Sequence, residues 1–534
     1  MSLFRFGWIA LALSTANSAI LPSLPIDDPS TPLLDRLDGS AGCHLPPRRP
    51  WPGEVVVACI DSLLASPDVD ASDKARLSRL RDRLSLRDTS GSRTWRFRQD
   101  DDLVSFDVGA SVHAHAIDRK VAVGATLSDS IDGDILAGLR VRPRVDVAIG
   151  PDIVLWARPR QIVEVADQPR WLKASDPERG IYQTALFAGT GETGRARTND
   201  WVEGGIELAT RVGRISAGLG PLEWGDLPVE PLMLSGNTES VPFAQATKRI
   251  GPIEATLLGG RLIGDTWSRR RYLYAHRFAW NGRDWRFGWS EMILSVEHDL
   301  EPLYLVPVFP YVFTEHVLGD PDNKQMDFDA SWRPVPGLEL SAELFLDDLQ
   351  NYFGFLSDKW GNKWALGLGI KASGWTGAGS LDRIQLVRTE PWVGTASSSI
   401  LPGMPGNAPV HFGKTLGSAA GPNSATLAWM HRQDLSEEWS WEAGVLALWK
   451  GTGPGSSIHD RNWRDSSGTW VVGVERKEWL SGDLFDRQEL TAGAEWRFAH
   501  GWRATASASV ARESLPGRES EWKPGASFVL AYHE

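Results

Sequence analysis

Beyond its first 20 residues the chain has no run of about 20 apolar residues free of charge, so no segment is long enough to cross a bilayer as a helix. That exclusion leaves strands untouched. Cysteine is nearly absent: Cys43 and Cys59 are the only two in 534 residues. In an exported chain they either close one short loop as a disulfide or stay two unrelated thiols. No Lys/Arg-dense stretch with interleaved aromatics occurs, and the formal net charge is -12. Nucleic acid is therefore not an expected partner. The familiar catalytic spacings are missing too: no Gly-x-Ser-x-Gly elbow, no P-loop, no His-Glu-x-x-His. The chain reads as a non-enzyme, with no cofactor and no metal implied.

What the chain does have is tryptophan, 26 residues against 7 Tyr and 6 Met. Tryptophan suits membrane–water interfaces, where its ring is apolar and its N–H finds a partner. A Trp-rich soluble carbohydrate-active protein is the rival reading. A hydrophobic share of 42% reads as soluble, but strands with one face in lipid and one in water average to the same value.

Residues 1–19 read as a cleavable signal peptide. Arg5 supplies the basic start, Phe6 to Leu13 the apolar run, and Asn17-Ser18-Ala19 the small-residue cleavage site. Residues 20–93 read as a linker rich in Pro, Asp and Leu, followed by a two-helix subdomain. The first helix opens at Pro52 and carries Val56, Cys59, Ile60, Leu63 and Leu64 at near-helical spacing. The second starts from Ser72 as N-cap and carries Leu77, Leu80 and Leu84. Residues 87–93 connect it to the long C-terminal region.

From residue 94 to 534 the period becomes two. Val104, Phe106, Val108, Ala110 and Val112 alternate with Ser105, Asp107, Gly109, Ser111 and His113. Met326, Phe328, Ala330 and Trp332 pass through a Pro-Val-Pro-Gly turn into Leu338, Leu340, Ala342, Leu344 and Leu346. Such stretches are about 9–11 residues, the length of a tilted transmembrane strand. Short turns (Gly213-Arg214, His500-Gly501) alternate with long Gly- and Pro-rich segments near 395–424 and 451–468, as in outer-membrane barrels. Lipid accepts strands only in a closed sheet. The sequence thus predicts an all-β, transmembrane antiparallel β-barrel, and about 440 residues at roughly two dozen per strand and loop give about 16–18 strands. The expected place is the outer membrane of a Gram-negative bacterium, with the helical subdomain in the periplasm. Outer-membrane lipid and the insertion machinery are the implied partners. His533 and Glu534 follow Tyr532, a departure from the terminal aromatic that this machinery reads.

Residues 200–430 resemble the Wzi-type capsule assembly family of outer-membrane proteins. The resemblance is carried by Gly213-Arg214, Gly218 to Gly225, Leu232 to Asn237, Arg271-Tyr272-Leu273 and Ala275-His276-Arg277. Phe287 to Glu291, Asp320 to Asn323, Trp332-Arg333-Pro334 and Glu343 to Asp348 complete the ordered set. It implies the upper end of the strand count, about 18, a small periplasmic helical bundle, and a part in attaching capsular polysaccharide to the cell surface. Where the family often shows Trp-Gly-Pro-Gly, this chain has Trp224-Gly225-Asp226-Leu227.

Candidate glycan-binding residues follow from the chemistry sugars favour: C–H faces stack on rings and hydroxyls bond to carboxylates. Glu223 and Trp224 join a carboxylate to an aromatic face. Glu315 and His316, with Asp320 and Asp322 nearby, make either an acid–base or calcium cluster or a solvated turn. Asp347 and Asp348 sit where a strand leaves the lipid, as a sugar-binding rim or a bare one. His113 and His115 share one strand face, either as metal ligands or as part of a polar lumen. The expected function is capsule or surface polysaccharide assembly, binding glycan at external loops without chemistry. The alternative is a porin, in which Asp107, Glu207, Asp327, Glu343 and Arg497 line a wet channel.

Overall fold

The computed structural model describes residues 21–40, 43–85, 95–99, 102–120, 130–166, 182–184, 196–263, 270–296, 299–306, 310–319, 322–348, 354, 356–395, 408–411, 414–458, 460, 463–464, 470–472, 475–499 and 501–532. The expected signal peptide at 1–19 and the connector at 87–93 lie outside the described residues.

Alternation forces the strands to close. In Asn323–Val335, Gln325, Asp327, Asp329 and Ser331 are buried on the inner face, while Phe328 (43% exposed) and Trp332 (39%) stand outside. The pattern repeats around 18 antiparallel strands, each paired to the next in chain order. The last strand, Glu521–Tyr532, pairs with Asp102–Lys120 and shuts the ring. Two short segments, Trp95–Gln99 and Tyr182–Thr184, extend the sheet beside strands already in it. The outer wall is apolar: Val112, Leu139, Leu368, Leu386, Leu490 and Phe528 are all exposed. At the short-turn end it carries a girdle of rings, with Trp285 stacked on Trp332 at 5.1 Å and Trp439 on Trp496 at 5.4 Å. A barrel turns this kind of surface to lipid. No helix among the described residues is long and apolar enough to cross a membrane.

Two expectations shift in detail. Strand lengths run from 8 residues (Gly213–Gly220) to 20 (Ser130–Ile149), because several strands extend past the span that hydrocarbon requires. The turn expected at Gly213-Arg214 falls at Arg211-Val212, since Thr210 pairs with Gly213.

Among its described residues the N-terminal segment holds three helices rather than two: α1 (Thr31–Leu37), α2 (Gly53–Ala65) and α3 (Ala71–Leu84). Helix α1 falls in the expected linker; seven residues with Pro32 in the first turn are too few to display a period. Asp70, not Ser72, caps α3, its carboxylate accepting from the Asp73 N–H at 2.8 Å. The helices bury a core of their own around Leu34, Val56, Ile60, Leu63, Leu77 and Leu84. The two cysteines, left open by the sequence, are joined: the Cys43–Cys59 disulfide ties the segment after α1 to α2. Ion pairs seat the bundle on the short-turn end of the barrel. Arg76 meets Asp434 at 2.7 Å, Arg48 meets Glu254 at 3.2 Å, and Arg214 grips Glu54.

Candidate functional site

Between the strands Gly213–Gly220 and Val241–Ile250 the chain turns inward. Gly225 allows the bend: its φ is +139°, and a Cβ there would lie 2.7 Å from Pro231 and 2.8 Å from the Glu343 carboxylate. Two short strands form inside the barrel, Glu223–Trp224 and Leu234–Ser235, and Glu223–Trp224 also pairs with Arg48–Arg49 from the N-terminal segment. Trp224 is fully buried, and Leu222, Leu227, Leu232, Met233 and Leu234 pack with it. They meet the inward side chains Leu258, Leu273, Met292, Leu294, Phe345 and Val387. A barrel of about 16–18 strands has room for a water channel; here a hydrophobic core occupies that room. Hydrogen bonds hold the inward segment to the wall. The Leu232 N–H donates to Glu343 Oε1 at 2.6 Å, and Gln385 Oε1 accepts from the N–H groups of Val229 and Glu230 at 2.9 and 3.0 Å.

Toward the short turns, a charged layer separates this core from the helices. Arg286 reaches Asp226 at 2.8 Å and Glu339 at 2.9 Å, and Arg333 joins Glu339 to Asp38 at 2.7 Å each. Lys371 completes the group, 3.1 Å from Asp38. Burial pushes the Asp226 carboxyl up to about 6 against the pull of Arg286. Burial also opposes the charge on Asp38, but Lys371, Arg333 and Arg286 overcome it and hold that carboxyl well below the usual range. Nearer the long loops, Glu230 is pushed up to about 7 by burial, although Ala419 N–H and Ser418 Oγ donate to it. Of the charges expected to line a wet channel, Glu207, Asp327 and Glu343 are buried. Glu207 pairs with Arg214, and Arg497 lies 3.2 Å from Glu495. Asp107 stands half-buried on the inner face.

The residues singled out from the sequence fall in three separate places. Glu223 and Trp224 belong to the lumen sheet, where Arg49 approaches Glu223 at 3.5 Å. Glu315 and His316 lie on a helix α4 (Tyr311–Leu318) against the outer wall, with Glu315 buried and His316 exposed. Asp322 accepts from the Tyr304 hydroxyl at 2.8 Å, and Asp320 lies outside the described residues. Asp347 is buried and accepts from Gly394 N–H at 3.0 Å, pinning a long loop; Asp348 projects at the rim, 3.7 Å from Lys363. His113 is buried on the lumen face, and among the described residues no group of three or more His, Cys, Asp or Glu could hold a metal ion.

Beside Asp348 lies a rim cluster that the sequence reading missed. The Arg388 guanidinium sits 4.1 Å over the Trp479 ring and 5.1 Å over Trp364. Glu390 accepts from Arg388 and from Lys477, both at 2.6 Å, and the Lys363 ammonium lies 5.4 Å from the Trp360 ring. A faint signal was present: Arg388 ends the outward series Ile384, Leu386, placing a cation where a strand leaves the apolar band.

Fold and interior together define a class: a membrane-type β-barrel plugged by its own chain. Its fold is similar to that of Wzi, an outer membrane protein involved in group 1 capsule assembly in Escherichia coli and a carbohydrate-binding β-barrel. The TM-score is 0.58 at 13% identity, covering 97% of this chain and all of that one. Two Pseudomonas aeruginosa barrels are more distant. OprD gives a TM-score of 0.41 at 7% identity over 80% of this chain and 94% of its own. OpdK with vanillate gives 0.43 at 9% over 80% and 98%. No protein-family model matches the sequence, and comparison with curated proteins finds no relative.

Proposed function

We propose that this protein is a plugged barrel of a Gram-negative outer membrane that binds or organises surface polysaccharide at its long-loop rim, without chemistry. The filled lumen carries this reading: a solute channel needs a wet path where Trp224, Leu232 and Met233 form a core. The fold's likeness to a carbohydrate-binding barrel supports glycan as the ligand. At the rim, the rings of Trp360 and Trp479 offer stacking faces, and Asp348 and Arg388 offer hydrogen bonds to hydroxyls, with Glu390 buried beneath as the partner that positions Arg388. In this reading residues 1–19 direct export, residues 20–93 form a periplasmic subdomain, and residues 94–534 form the barrel delivered by the insertion machinery.

Two measurements test it. Titration with the native surface polysaccharide should show binding that Trp479→Ala weakens about tenfold, worth about 1.4 kcal/mol. In a planar bilayer the protein should pass little current. A large steady conductance together with indifference to the glycan would favour the solute-channel alternative and sink the proposal.

A further inference from the structure

Part of the chain lies on the outside of the barrel wall. Alternation fixes the two faces: Leu273, Ala275, Met292 and Leu294 join the inner core, so Tyr274, His276, Glu291 and Ile293 point outward. Outward residues on this wall are normally exposed, as Phe287 is at 49%. These four are not; none exceeds 1%. They are covered by residues 299–306, with the turn Pro302–Leu305, and residues 310–319, with helix α4.

Polar contacts strap this segment to the wall. Glu291 Oε2 accepts from the Tyr311 N–H at 2.8 Å, at the start of α4, and lies 3.0 Å from His276 Nε2. The Tyr274 hydroxyl accepts from Glu301 N–H at 2.9 Å. The strap thereby shields an imidazole and a carboxylate on a wall that otherwise meets hydrocarbon. Its own outer side exposes the apolar Leu303, Phe313 and Val317, with His316 beside them.

Pro310, at the start of α4, overhangs a cleft of about 540 Å³ on the outer wall, within the range of about 300–1,000 Å³ that small-ligand sites occupy. Its floor dips at Ala246 and Ala255 between the bulkier Leu257, Phe278 and Trp289. One cation stands in it. Lys248 lies toward the short turns, its ammonium donating to the Arg211 carbonyl at 2.8 Å, and Arg211 is exposed on the same turn.

We propose that this cleft holds one acyl chain of an anionic phospholipid whose phosphate rests on Lys248 and Arg211. The apolar floor opens on the outer wall, where Ala246 is exposed, so the occupant is hydrocarbon reached from the bilayer. The charge sits at the short-turn end, away from the long loops, which matches a phospholipid leaflet and not a lipopolysaccharide one. The inference rests on the membrane reading above.

The test is native mass spectrometry of the full-length protein released from detergent, with phosphatidylglycerol, phosphatidylethanolamine and lipopolysaccharide offered in turn. One phosphatidylglycerol should stay bound through delipidation. Ala255→Phe, which fills the floor, should lower its retention about tenfold, the effect of losing burial of about two methylenes. Ala342→Phe, an equal enlargement elsewhere on the outer wall, should leave retention unchanged. Lys248→Glu should abolish the preference for phosphatidylglycerol over phosphatidylethanolamine. Equal retention by the Ala255 and Ala342 variants, or lipopolysaccharide as the retained species, overturns the proposal. A protein that stays dispersed without detergent would instead overturn the membrane reading beneath it.

Discussion

Asp38 and Arg333 face each other at 2.7 Å across 295 residues of chain, one at the end of α1, the other on the barrel wall. With Lys371 and Arg286 beside them, this is where the helical bundle is keyed to the barrel. Asp38→Asn leaves Arg333 and Lys371 to Glu339, and Arg286 to Glu339 and Asp226. Removing one partner from a buried ionic group costs about 3–5 kcal/mol. The thermal midpoint in detergent at pH 7 should fall accordingly. Because the folded carboxyl is held below its ordinary 3.8, its contribution is full above that value and is lost as pH falls through the folded pKa. The gap between wild type and variant should therefore close in strong acid. An unchanged midpoint at pH 7 would show that the pair does not dock the bundle.

Glu230 behaves in the opposite sense. Its carboxyl is raised from 4.5 to about 7 inside the barrel, so the native state favours the neutral form. Stability from this group is full below about 4.5 and is lost as pH rises to about 7 and beyond. Glu230→Gln should reduce the pH dependence of the inward segment over that window, leaving the share that Asp226 contributes. Hydrogen exchange at residues 229–234 checks it: wild type should exchange faster at pH 8 than at pH 5 after correction for intrinsic rates, and the variant should show a clearly smaller difference.

Leu368 is 49% exposed on the outer wall, in the middle of the strand Lys363–Ser373. Leu368→Arg should cost about 2–4 kcal/mol, the price of a cation near the bilayer midplane. Equilibrium unfolding into denaturant from lipid vesicles measures it. A change near zero would mean that this face meets water.

The disulfide closes a loop between residues 16 apart. Cys43→Ser with Cys59→Ser should destabilise the bundle by about 3 kcal/mol, from loop-closure entropy alone. Limited proteolysis should then cut within residues 21–85 while the barrel survives intact. Protection equal to wild type would assign the bundle's order to its ion pairs instead.

Alternation made the barrel readable, because a wall with lipid on one side and polar contacts on the other tolerates only period two. Met326 to Leu346 shows this most clearly, and the structure pairs those residues as one hairpin. The plug was hidden for the converse reason. Leu222, Leu227, Leu232, Met233 and Leu234 follow no period, since they fill an irregular space rather than one face of an element. Helix α4 was missed likewise: eight residues against the outer wall have apolar side chains toward both barrel and exterior. The candidate pairs Glu223–Trp224, Glu315–His316 and Asp347–Asp348 share sugar-friendly chemistry but scatter in space. Sequence spacing says nothing of whether a loop folds into the lumen, along the wall, or over the rim.

Arg48 and Arg49 are laced to Glu223 and Trp224 within the ring, and the ring is shut only when the final strand meets Asp102–Lys120. The amino-terminal segment and the inward loop therefore share one small sheet inside the closed ring, so displacing either leaves backbone hydrogen bonds of the other without a partner.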